Sequence, residues 1–139
     1  MNKFLGIALV ILAVGIAVVP HYTDCLSQGL TVSLVNGSVQ PMKCHWSAQA
    51  EIGVGIPLFA VGIMIAASRR KNLRVGASIL GILLGAVALA IPNGLIGTCS
   101  MAAHFCNPAM KPAVNAMGSI TIIGALGGLV LAWEGKSIK

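Results

Sequence analysis

Four cysteines and three histidines are the side chains in this sequence best suited to covalent or metal chemistry. They cluster in two segments. Cys25 and Cys44 lie within residues 21–47, with His21 and His45, and Cys99 and Cys106 lie within residues 99–113, with His104. An even number of cysteines reads first as a disulfide framework, for which four residues allow three connectivities. The local pairing, Cys25 with Cys44 and Cys99 with Cys106, is the simplest of these. Thiol–disulfide exchange would use the same sulfurs, although no Cys-x-x-Cys pair is present. Metal binding is the third chemistry. Met42, Cys44, His45, Met101, His104, Cys106 and Met110 are soft or borderline donors that suit copper(I) or zinc. His45, Met101 and His104 are the metal candidates if the cysteines are oxidised. The Cys-x-x-Cys-His run of covalent haem is absent, and no cofactor is predicted.

A second group of candidates adjoins the first. Lys43, His45, Trp46, Glu51 and Lys111 are the polar or amphipathic residues closest to the cysteines and could form a binding surface. Glu51 falls about one turn into an apolar run, where a helix N-terminus favours a carboxylate. Lys43 or Lys111 could pair with it. The competing reading is that an ionisable group at membrane depth marks a binding or proton site. No Ser/His/Asp set, carboxylate pair or Gly-rich phosphate loop appears, so nothing points to a hydrolase or a nucleotide enzyme.

The elements that must position these residues follow from composition. Only 9% of the 139 residues are charged and 57% are hydrophobic, against about 25% charged in soluble domains. Too few polar side chains exist to cover a soluble globule, and disorder requires low hydrophobicity. Four apolar runs, residues 4–20, 48–67, 75–98 and 114–133, approach or reach the roughly 20 residues that span a bilayer as a helix. They lack the alternation of a membrane β-barrel. The expected fold is all-α: a bundle of four transmembrane helices in one integral membrane domain. Met-Asn-Lys before the first run has the look of a signal peptide, but the run ends Ala-Val-Val-Pro without a small-residue cleavage site, so it is expected to be retained. Pro92-Asn93-Gly94 interrupts the third run, which makes residues 93–98 an interfacial or re-entrant piece.

Basic residues orient the bundle. Lys3, Arg69, Arg70, Lys71, Arg74, Lys136 and Lys139 fall on one side, leaving only Lys43 and Lys111 on the other. The positive-inside rule then puts both termini and the 68–74 turn in the cytoplasm, in a multi-pass protein of the cytoplasmic membrane. Every cysteine and histidine is placed outside. The net charge of +6 is a topology signal; no basic–aromatic surface accompanies it, so no nucleic-acid partner is expected. The expected partners are the lipid bilayer and other membrane subunits or a second copy of the chain. Glycines at helical spacing, including Gly81 and Gly85, allow close helix packing.

The external segment 21–47 also carries a hairpin signal. Leu30-Thr-Val-Ser-Leu-Val alternates and leads into Asn36-Gly37, a pair that favours a two-residue turn with both residues at positive φ. A small hairpin capping the outer mouth of the bundle is expected, with Pro41 ending its second strand.

Met42-Lys43-Cys44-His45-Trp46, Ala50-Glu51-x-Gly53, Ile91-Pro92-x-Gly94-Leu95-Ile96-Gly97-x-Cys99, and then Cys106 and Lys111-Pro112 together resemble an uncharacterised family of small bacterial and archaeal four-helix membrane proteins, domain of unknown function 4418. The resemblance covers most of the chain. It implies a four-helix membrane fold and no assigned activity. Genes of the family often lie near those of MacB-like (FtsX-type) ABC transporters, which implies a non-enzymatic accessory subunit. Two alternatives stand beside it: a DsbB-like thiol–disulfide oxidoreductase, similar in its four helices and its two cysteines per external loop, and an external copper-, zinc- or haem-binding membrane protein.

Overall fold

The computed structural model describes residues 2–27, 29–68, 70–99 and 106–134. Met101 and His104, two of the three metal candidates, lie outside the described residues, as do Arg69, Lys136 and Lys139. Four helices carry the fold: α1 (Asn2–Thr23), α2 (Lys43–Ala67), α3 (Lys71–Ala90) and α4 (Lys111–Glu134). All four belong to segments long and apolar enough to cross a membrane. Their outward faces remain apolar, as lipid requires. On α1, for example, Phe4, Ile7, Ile11, Val14 and Val18 form an exposed stripe, while Leu9, Ala13 and Ile16 point inward.

All four helices start before the apolar runs that announce them. Helix α2 starts at Lys43 rather than near residue 48, so Lys43, Cys44, His45 and Trp46 form its first turn. Pro41 sets this boundary by ending the preceding strand, and the extended Met42 is the N-cap. Helix α3 starts at Lys71 and is continuous only to Ala90. Pro92 lacks the N–H needed to continue the ladder, and the chain widens into a π turn over Ile91–Leu95. The Ile91 carbonyl there accepts from both Ile96 N (3.1 Å) and Gly97 N (2.9 Å). Gly97, at φ +83°, then swings the chain across the bundle end toward Cys99. Pro57, by contrast, leaves α2 unbroken.

Each helix packs against its chain neighbours, and α4 closes the ring on α1. The tightest seams are α1–α2 and α3–α4. A Cβ on Gly62 would lie 2.7 Å from Val10 Cγ2 and 2.9 Å from the Val10 backbone nitrogen. On the other seam, Gly85 and Gly118 each face the other's carbonyl oxygen, at 3.3 and 3.4 Å from an added Cβ. Small residues at these crossings replace the hydrophobic drive that helices lack in lipid with close backbone contact.

Between α1 and α2 lies an antiparallel hairpin, β1 (Thr31–Ser33) with β2 (Val39–Pro41), in which Val32 pairs with Gln40. Two expectations for it are corrected. Only Gly37 has positive φ, at +78°. Gly37 N bonds Leu34 O and Leu34 N bonds Ser38 O, so the loop is a three-residue connection around a type I turn with glycine in the left-handed position. Asn36 keeps negative φ because its side chain is used locally: Oδ1 accepts from Ser38 N (3.2 Å) and Ser38 Oγ (2.7 Å). The hairpin is also no cap. Its strands are exposed almost throughout, with Val32, Val35 and Val39 open to solvent. At this end of the bundle the described helix ends meet through sulfur.

Candidate functional site

Cys25 follows the end of α1, Cys44 is the second residue of α2, Cys99 follows the turn after α3, and Cys106 opens the π turn that leads into α4. Each helix thus delivers one cysteine to the same end of the ring, and all four sulfurs lie within 4.8 Å of one another. Cys25 and Cys44 are disulfide-bonded. Cys99 and Cys106 are not bonded, so the local pairing expected for the second couple is absent. Instead, each free thiol sits against a different sulfur of the disulfide. Cys106 Sγ is 2.8 Å from Cys25 Sγ, and Cys99 Sγ is 2.9 Å from Cys44 Sγ and 3.5 Å from Cys25 Sγ.

The surroundings are apolar and rich in sulfur. Cys25, Cys44 and Cys106 are buried with Ala48, Met110 and Val114, while Cys99 is partly exposed. Met42 Sδ lies 3.9 Å from Cys99 Sγ. The connection that carries Cys99 is pinned on both sides. Ser47 Oγ donates to Gly97 O (2.7 Å), and Asn107 Nδ2 donates to Cys99 O (2.9 Å). Thr98 Oγ1 also donates to Asn107 Oδ1 (2.8 Å). Cys99 is therefore held against Cys44 by hydrogen bonds to α2 and to the turn before α4.

Burial among apolar side chains works against charge on these sulfurs, and the start of α2 works for it. Cys44 lies in the first turn of α2, behind Lys43, and no side chain caps that helix end. Unsatisfied N–H groups and a cation both stabilise an anionic sulfur. Lys111 occupies the matching position at the start of α4.

An Asp–His pair adjoins the disulfide. Asp24 and His45 are the sequence neighbours of Cys25 and Cys44, and His45 Nδ1 lies 2.8 Å from Asp24 Oδ2. Burial raises the Asp24 pKa, but the hydrogen bonds from His45 and from Ser27, with the His45 charge, outweigh it and hold the carboxyl below its ordinary value. An ionised carboxylate only accepts, so the proton of a neutral His45 sits on Nδ1 and Nε2 keeps its lone pair. The pair faces a shallow cavity of about 240 Å³ lined by His21, Tyr22, Asp24, Leu26, Ser27 and His45. Asp24 is absent from the sequence-based candidates. The signal was available: Asp-Cys and Cys-His dipeptides are brought side by side by the pairing of Cys25 with Cys44.

The remaining candidates divide. Trp46 is exposed in the first turn of α2 and Trp133 in the last turn of α4, at opposite ends of the bundle, where interfacial indoles belong. Glu51 is buried inside the ring on the same face of α2 as Cys44 and Ala48. Among the described residues it pairs with neither Lys43 nor Lys111, and neither of its oxygens has a hydrogen-bond partner. The ion pair offered by the sequence is therefore absent among the described residues, because α2 begins earlier than expected and sets Glu51 two turns below Lys43, about 12 Å along the axis.

The fold and the site together define a four-helix membrane-spanning protein with a buried four-sulfur centre at one end of its ring. The chain belongs to the family described as Domain of unknown function (DUF4418), whose model matches residues 5–131. Neither a curated protein nor a solved structure matches the chain.

Proposed function

We propose that the protein is a membrane-embedded thiol–disulfide exchange centre working at the outer face of the cytoplasmic membrane. The observation that supports this reading is the pair of free thiols held 2.8 and 2.9 Å from the two sulfurs of one disulfide. Exchange needs a thiolate beside a disulfide and a leaving sulfur that tolerates charge. The outward placement rests on the basic residues around the opposite end.

The exchange runs as follows. Cys99 Sγ, as thiolate, attacks Cys44 Sγ. The Cys44–Cys99 bond forms, the Cys25–Cys44 bond breaks, and the electron pair leaves on Cys25 Sγ, which takes up the proton that Cys99 gave up. The disulfide now includes the partly exposed Cys99, where a partner protein's thiolate can reach it. A dithiol partner gives two electrons and two protons and leaves as a disulfide, while this chain gains two thiols. A disulfide-bearing partner drives the reverse.

The test uses the purified full chain in detergent with a reduced dithiol protein. Exchange should proceed in the wild type, and Cys99→Ser should bring it down to the uncatalysed background. Unchanged exchange in Cys99→Ser would defeat the scheme.

A second reading is favoured by one observation. The hairpin stands clear of the helices with Val32, Val35 and Val39 exposed, a surface suited to docking in a larger complex. This supports the accessory-subunit reading, with a MacB-like ABC transporter as the partner. Replacing residues 31–41 with a Gly/Ser linker should then abolish co-purification of that transporter while leaving the bundle folded.

A further inference from the structure

We infer that the four cysteines, when reduced, form a closed tetrathiolate site for a single zinc ion. Four thiolates about 2.3 Å from zinc place their sulfurs about 3.8 Å apart at the corners of a tetrahedron. The cluster brackets that spacing: its unbonded contacts begin at 2.8 Å, and no two sulfurs are more than 4.8 Å apart. Reduction removes the one covalent contact, between Cys25 and Cys44, and lets that pair move outward to van der Waals separation.

The donor set narrows the metal. Four sulfurs with no oxygen ligand exclude calcium and magnesium, and tetrahedral all-thiolate geometry suits zinc or iron, of which zinc binds without redox chemistry of its own. His45 is committed to Asp24 through Nδ1 and is not needed as a ligand. Four thiolates fill the tetrahedral positions and leave none for a water ligand, as in structural zinc sites, with Cys25, Cys44 and Cys106 buried and Cys99 partly exposed.

Charge is the main cost. Zinc with four thiolates carries two net negative charges in an apolar setting. Lys43 and Lys111 stand at the first positions of α2 and α4, and the uncapped start of α2 adds its N–H groups. These are the positive charges on the helix that supplies Cys44 and on the helix that follows the Cys106 turn. Binding also links the starts of α2 and α4 to the ends of α1 and α3, so one ion would tie all four helices.

The inference rests on the exchange reading only for the claim that the reduced state is reached in the cell. The experiment takes detergent-purified full-length protein, fully reduced and metal-free, and titrates it with zinc(II), or with cobalt(II) as the spectroscopic probe. The expected result is one metal per chain, release of thiol protons, intense sulfur-to-cobalt charge-transfer absorption, and protection of all four cysteines from alkylation. The oxidised wild-type protein, folded and with Cys25 and Cys44 bonded, should bind none, which is a control free of folding artefacts. Cys106→Ser should weaken zinc by more than the about 10–100-fold that loss of an outer-shell partner costs. Reduced wild type that stays folded and takes up no metal overturns the inference, and so does equal binding by the oxidised protein. Thiol exchange without metal uptake would sink the zinc site and leave the exchange reading standing. Metal uptake by a protein that exchanges with no dithiol would do the opposite.

Discussion

His45 Nδ1 and Asp24 Oδ2 lie 2.8 Å apart, joining the residue after Cys44 to the residue before Cys25. This contact ties the start of α2 to the end of α1 independently of the disulfide between them, so the two cysteines stay together when that bond is opened. A hydrogen bond to a charged group contributes about 1.5–3 kcal/mol. Asp24→Ala should lower unfolding stability by that amount in the oxidised, metal-free protein.

The same contact has a pH signature. The folded carboxyl titrates below its ordinary 3.8, so its contribution is complete above that value and is lost as pH falls through the folded pKa. Thermal unfolding of the wild type should therefore drop in that acidic window, and the drop should be smaller in Asp24→Ala. Parallel curves for the two proteins would show that the pair carries no stability.

The glycine seams make a prediction by contrast. At Gly62 an added methyl meets the Val10 side chain and backbone, and the backbone cannot yield cheaply. Gly62→Ala should cost about 1–3 kcal/mol through overpacking. At Gly53 nothing lies within 4 Å of the added atom, so Gly53→Ala should be neutral or stabilise the helix by up to about 1 kcal/mol. Detergent unfolding of the two variants side by side checks the α1–α2 packing.

Glu51 gives a fourth prediction. Both carboxyl oxygens are buried without a partner, and a buried unsatisfied polar group costs about 1–3 kcal/mol. Glu51→Met should leave the bundle equally stable or stabilise it. A marked loss of stability would mean that the carboxylate is paired, contrary to the structure.

Much of the fold was legible because lipid imposes a simple code. Helix count follows from apolar length, and Pro92-Asn93-Gly94 marks the break in the third run through the missing proline N–H. Helix starts were harder to read. Lys43 through Ser47 is polar enough to pass for loop, yet it forms the first turn of α2 and carries Cys44 and His45 onto a helix. The hairpin was found by Asn36-Gly37, but its turn type depends on the Asn36 side chain bonding Ser38, which a dipeptide signal does not encode. Least legible was the convergence of four cysteines from four helix ends. The apolar runs put all four on one side of the membrane, but their meeting depends on the ring closure of α4 on α1, which brings Cys106 to Cys25.

Accessibility separates the two free thiols. Cys99 is partly exposed and Cys106 is fully buried. In the folded oxidised protein a water-soluble maleimide should label Cys99 promptly and Cys106 only after unfolding, as read by peptide mass spectrometry. Equal labelling rates would show that Cys106 is not sealed inside the ring, and would remove the reason for assigning the attacking role to Cys99.

The exchange centre itself is tested most directly by acid-quenching cells that express the full chain and mapping the redox state of all four cysteines by differential alkylation. The account predicts a Cys25–Cys44 disulfide coexisting with thiols at Cys99 and Cys106, together with a minor Cys44–Cys99 form, and conversion of both forms to four thiols when a dithiol partner is added. Two fixed disulfides, unchanged by any dithiol, would contradict it and leave the cysteines as staples.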